Sequence, residues 1–150
     1  MKKHMIALIV FAATTWANTA SAQFAKPEDA VKYRKSAFSL MATHTGRMGA
    51  MAQGKVPFDA KVAAENAEIL ASLSKLPWGA FGEGTDLPDS KAKHEVWKDA
   101  AKFKEIADKL QADTQKLVAA TKTGKEDAFK AAFGVAAGNC KSCHDDFRNK

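Results

Sequence analysis

Residues 125–150 read KEDAFKAAFGVAAGNCKSCHDDFRNK, and this stretch decides the fold. Phe129, Ala132, Ala136, Cys140, Cys143 and Phe147 recur at steps of three and four, the mark of one helix face buried against a neighbour. The spacing predicts a helix that starts after Gly124 and runs to about Phe147. Both cysteines of the chain lie on its apolar stripe, and His144 follows the second at once.

Three further helices are expected upstream, and no segment shows a convincing strand pattern. The first covers about Pro27–Met48, with Pro27 in the first turn and Glu28 and Asp29 where the helix dipole favours acids. Val31, Phe38 and Thr45 interleave there with Arg34, Met41 and Met48 at heptad spacing, forming one seam. The second covers about Pro57–Lys75, with Val62, Ile69 and Leu76 as its stripe, Asn66 and Leu73 between them, and Pro77 as terminator. A loop rich in Gly, Pro and Asp follows from Trp78 to about Ser90; its Trp78 and Phe81 are expected to cover apolar surface. The third helix is expected over about Lys91–Thr121, stepping through Val96, Ala100, Phe103, Ala107, Leu110, Thr114 and Leu117. Four amphipathic helices with modest connections predict an all-α, antiparallel up-down-up-down four-helix bundle. A repeat array is not expected, since no period exceeds the heptad.

The 150 residues, 46% hydrophobic and 27% charged, suit one soluble domain. Nine Phe against one Tyr suggest dry packing rather than a polar recognition surface. Residues 1–22 read as a secretory signal peptide: Lys2 and Lys3, the apolar run Met5–Ala13, then Ala20-Ser21-Ala22, with cleavage before Gln23. Residues 23–150 are then the mature domain, exported to the periplasm. The run breaks at Thr14-Thr15, short of the roughly 20 apolar residues of a membrane span, and no later segment is more apolar. Removing Lys2 and Lys3 lowers the net charge from +6 to +4. The remaining lysines are scattered, so no nucleic-acid partner is expected.

Cys140-Lys141-Ser142-Cys143-His144 matches the pattern of c-type haem attachment. On a helix turning about 100° per residue, Cys143 lies about 300° on from Cys140, and His144 about 40° on. Two thioethers on neighbouring edges of one face can hold the porphyrin while the imidazole reaches the iron. A thiol–disulfide redox pair is expected near a βαβ pattern with its first Cys at a helix N-terminus, which this context does not supply. A structural zinc site would need His44 or His94 as fourth ligand, and i, i+3, i+4 spacing suits it poorly. A disulfide between helical i and i+3 positions would distort the helix. Gly134 and Gly138, unfavourable in a helix interior, are expected to admit haem or a neighbouring helix.

The arrangement resembles the cytochrome c′ family, the class II branch of c-type cytochromes. The resemblance spans the mature chain. It rests on the motif next to the C-terminus, on Gln23-Phe24-Ala25-Lys26-Pro27-Glu28-Asp29-Ala30-Val31-Lys32-Tyr33-Arg34, on Leu76-Pro77-Trp78 with Phe81-Gly82, and on Ala131-Ala132-Phe133-Gly134. It implies one haem c near one end of the bundle, bound by Cys140 and Cys143 with His144 as the iron ligand. It also implies five-coordinate high-spin iron that takes up nitric oxide and carbon monoxide and exchanges one electron, and a homodimer packed through the first two helices. Ala50, Ala52 and Ala63 are expected as small exposed residues at that contact. No acid–base constellation points to an enzyme.

The resemblance places Phe38 on the distal side of the iron, as apolar bulk where the family commonly has Leu. It makes Arg34, with Lys35, a partner of the haem propionates, and Thr85 a weaker candidate for the same role. Arg148, four residues after His144, matches the family's basic residue beside the proximal ligand. The alternative is a low-spin electron carrier with Met41 as sixth ligand, since no Met or His follows His144. His44 and His94 are expected at the surface or in loops.

Overall fold

In the computed structural model, which describes residues 23–150, four long helices close into a bundle. They are α1 (Pro27–Ala52), α2 (Ala60–Leu73), α4 (Ala100–Thr121) and α5 (Glu126–Phe147); a short α3 (Glu95–Lys98) precedes α4. α1 packs on α2, α2 on α4, α4 on α5 and α5 on α1, so the ring closes. The expected all-α bundle is therefore present, with no strand among the described residues. The signal peptide expected at 1–22 lies outside them. No helix among them is long and apolar enough to cross a membrane.

The helix ends follow from local chemistry. Asp59 accepts from the backbone N–H groups of Lys61 and Val62 and so starts α2 three residues after Pro57. Gly54 after α1 and Gly124 after α4 adopt positive φ, which a side chain would strain. α5 occupies nearly the span its periodicity indicates.

Two of the expected helices change. The third helix is interrupted at Asp99, whose carboxylate caps α4 by accepting from Lys102 N at 3.3 Å. The apolar stripe runs through this break, so periodicity alone gives no sign of it. On α2 the inward face is Ala63, Asn66, Ala67, Leu70 and Ala71. Val62, Ile69 and Leu76 are exposed. Heptad spacing marks a stripe without saying which way it faces, and here small alanines let α2 sit close to its neighbours.

The core is built from Met41, Met48, Met51, Ala63, Ala67, Leu70, Leu110, Leu117, Phe129 and Ala136. Phe38, Trp78 and Cys140 are partly buried against it. Ala63 is fully buried rather than exposed. Gly134 and Gly138 face open space, with no atom within 4 Å of a Cβ built on either. At Gly49, by contrast, the Phe133 ring of α5 lies in ordinary van der Waals contact, 3.5 Å from such a Cβ.

Candidate haem site

α5 presents its motif at the C-terminal end of the bundle. Cys140 and Cys143 are half-buried free thiols on successive turns, and His144 is exposed beside them. Beyond the motif the chain is strapped down. Lys93 N donates to Phe147 O at 2.9 Å, Asn149 N to Lys91 O at 2.8 Å, and Ala92 bridges to Arg148. This strap holds the last turn of α5 against the segment that leads into α3.

Burial raises both thiol pKa values. Cys143 is pushed up to about 11 by burial, with Cys140 and Asp146 adding to it. For Cys140 burial is again the main cause. A thiol redox pair needs a lowered pKa on its nucleophile, so this environment argues against that reading. No cluster of three or more candidate metal ligands exists among the described residues, and His94 pairs with Asp86 while His44 pairs with Asn66. The zinc reading therefore lacks its fourth ligand.

His144 is shifted the other way. Burial lowers its pKa, the Arg148 cation lowers it further, and Asp145 opposes both. The shift favours the neutral imidazole, the form that can coordinate iron. Arg148 is itself exposed, one turn on from His144.

An aromatic wall accompanies the motif. Phe38 meets Trp78 edge-on at 5.9 Å and Phe81 at 6.3 Å between ring centroids. Phe103 meets Phe81 at 4.8 Å and Phe147 at 5.2 Å. Trp78 donates to Ser74 O, and Trp97 to Phe81 O, so both indoles are fixed. Phe38, Trp78, Phe81 and Phe103 each stay only partly buried. Half-covered aromatic faces together with two thiols and an imidazole suit a flat apolar macrocycle with a metal at its centre. The residues present fit a haem.

Arg34 is placed differently from a plain carboxylate partner. It is 2% exposed. Its Nη1 donates to Ala80 O at 2.7 Å and Thr85 Oγ1 at 2.9 Å, and its Nη2 to Thr85 O and Ser90 Oγ, both at 2.8 Å. The guanidinium also lies 4.3 Å from the Phe81 ring centroid. Burial lowers its pKa, while Asp86 and Asp89 oppose that shift. Arg34 therefore latches the 80–90 loop onto α1, and Thr85 serves the arginine. Lys35 is exposed and pairs with Asp89 at 3.4 Å. Met41 is buried in the core.

The sequence reading missed Ala80 O, Ser90, Trp97 and the buried carboxylate Asp113. The last had a signal: Asp113 falls between Leu110 and Leu117 on an apolar stripe, with lysines at four before and three after.

The family model described as cytochrome c′ matches residues 29–148. Cytochrome c′ of Rubrivivax gelatinosus is 58% identical over 129 residues, covering 85% of this chain and all of that protein. The nitric oxide complex of a variant of cytochrome c prime from Alcaligenes xylosoxidans superimposes with a TM-score of 0.80 at 49% identity, covering 85% of this chain and 99% of that one. A carbon monoxide-bound variant of the same protein gives 0.80 at 49%, covering 85% and 100%.

Proposed function

We propose that this chain, which belongs to the cytochrome c′ family, carries the family's single covalent haem on Cys140 and Cys143 with His144 as the iron's protein ligand. It works as an exported, periplasmic cytochrome with five-coordinate high-spin iron that takes up nitric oxide and carbon monoxide. The haem supplies an iron that binds a diatomic ligand and exchanges one electron.

One observation carries this reading: two half-buried thiols and an exposed imidazole sit at one end of α5, in a bundle whose partly covered aromatic wall includes Phe38. Phe38 cannot ligate and offers no hydrogen-bond donor, so it excludes water and leaves uncharged diatomics favoured over a ligand that needs a donor. Met41 lies in the core among Met48, Leu70 and Leu110, which speaks against its serving as a sixth ligand. Lys35, exposed on α1, is a cationic donor for the haem's carboxylates, beside Arg34. The relatives crystallised with nitric oxide and carbon monoxide support the choice of ligands.

The homodimer belongs to the same reading. Val62 and Ile69 on α2, Leu76 just past its end and Leu40 on α1 are exposed apolar side chains. Covering them with a second copy removes them from water.

The visible spectrum of the purified protein, with and without nitric oxide and carbon monoxide, tests the function. A broad high-spin Soret band in the reduced form that shifts with each gas is expected. A sharp low-spin α-band before any gas is added would overturn it.

A further inference from the structure

The seam between α4 and α5 is mostly apolar; Lys102 pairs with Asp146 at 3.1 Å near its solvent-exposed end, and one polar contact is buried within it. On α5, Asn139 is buried between Ala136 and Phe147; on α4, Asp113 is buried between Leu110 and Leu117. Asn139 Nδ2 donates to Asp113 Oδ2 at 2.6 Å. Lys109 Nζ donates both to Asp113 Oδ2 at 2.7 Å and to Asn139 Oδ1 at 3.0 Å. Lys116 Nζ donates to Asp113 Oδ1 at 2.9 Å. The carboxylate side chain is 3% exposed, while the two lysines reach it from solvent at 55% and 73% exposure.

An apolar seam tolerates a slipped or rotated neighbour, because one methyl group replaces another. A buried amide bonded through both its oxygen and its nitrogen does not. Any slip leaves a carboxylate or an amide desolvated without its partner, and so a polar pair on an apolar seam selects one register. Asn139 immediately precedes Cys140 and lies about 40° round the helix from Cys143. Whatever fixes its height and rotation fixes the three residues of the haem motif.

We propose that Asp113 and Asn139 are positioning residues: their contact locks the register of α5 on α4 and presents Cys140, Cys143 and His144 to the haem in a single orientation. This rests on the reading that those three residues hold the haem. Asp113 and Asn139 act through α5 and need not touch the haem.

The test uses the haem-loaded protein. Replacing the pair by leucine (Asp113→Leu with Asn139→Leu) should leave the unfolding midpoint equal or higher. The haem methyl resonances of the ferric protein should nevertheless double, and the iron–histidine stretching band of the ferrous protein should broaden or split. The reversed pair (Asp113→Asn with Asn139→Asp) keeps one acid and one amide and should restore a single set. Leu117→Ala, which loosens the same seam without touching the pair, should lower stability and keep a single set. If the leucine pair yields no holoprotein, Asn139→Ala takes its place, with the same doubling expected. A single, unshifted set in the pair-breaking variant would overturn the proposal, and so would doubling in Leu117→Ala or failure of the reversed pair to restore it. A wild-type haem absent from the Cys140–Cys143 peptide by mass spectrometry would instead defeat the underlying assignment.

Discussion

The Arg34 guanidinium holds Thr85 at two atoms, donating to its hydroxyl at 2.9 Å and to its carbonyl oxygen at 2.8 Å. With Ala80 O and Ser90 Oγ this makes four bonds from one buried cation to a loop about 50 residues away. Replacing Arg34 strands buried acceptors in that loop, so Arg34→Met should cost about 3 kcal/mol. Arg34→Lys keeps the charge but not the fork, and should recover only part of the loss. Urea unfolding of the haem-loaded protein reads both.

Asp113 makes acid stability depend on one buried carboxylate. The Lys109 and Lys116 hydrogen bonds hold its pKa below the ordinary carboxylate range, outweighing the burial that would raise it. Because the folded value is the lower one, the stabilisation is complete above the unfolded value of about 4. It is lost as pH falls through the folded value. Asp113→Asn should therefore flatten the fall in stability below about pH 5 and cost about 2 kcal/mol at pH 7. Denaturant midpoints measured between pH 3 and pH 7, on the order of one per pH unit, check both parts. An unchanged acid slope would show that other carboxylates carry it. Asp145 is also held low, by Lys141, but it lies at the surface, where an ion pair adds little.

What was legible in the chain was what is local. The thiols and imidazole of α5 sit within five consecutive residues, and the helix that carries them announces itself by spacing. The facing of α2 was not legible, because Val62 and Ala63 begin two apolar stripes side by side and only packing decides between them. The Arg34 cradle was half legible. A cation on an apolar seam signalled a missing partner, but the partners are mostly backbone and hydroxyl oxygens on a distant loop, and sequence spacing says nothing about them. The Asp113–Asn139 contact was hidden for the same reason: it joins residues 26 positions apart on different helices.

On the proposed reading, Phe38 limits how freely a gas reaches the iron. Its ring rests edge-on against Trp78 and Phe81 and is only partly buried. Truncation in Phe38→Ala opens that contact and should raise the carbon monoxide association rate about tenfold, a change of roughly 1.4 kcal/mol in the barrier. It should also lower stability by about 2 kcal/mol through lost packing. Flash photolysis gives the rate. An unchanged rate would place the ring away from the ligand's path.

The exposed stripe of α2 should decide the oligomeric state. Ile69 is 42% exposed and Val62 39% on one face of α2, and Leu76, just past the helix end, is 42% exposed. A lysine at the middle of that stripe would desolvate a charge in any contact between two copies, and twice in a symmetric one. Ile69→Lys should therefore convert a dimer to a monomer. The same side chain is free to reach water in a single copy, so the monomer's fold and haem spectrum should be unchanged. Sedimentation velocity over a concentration series separates the two states. A wild-type protein that sediments as a monomer throughout would remove the dimer from the functional reading and leave the haem site untouched.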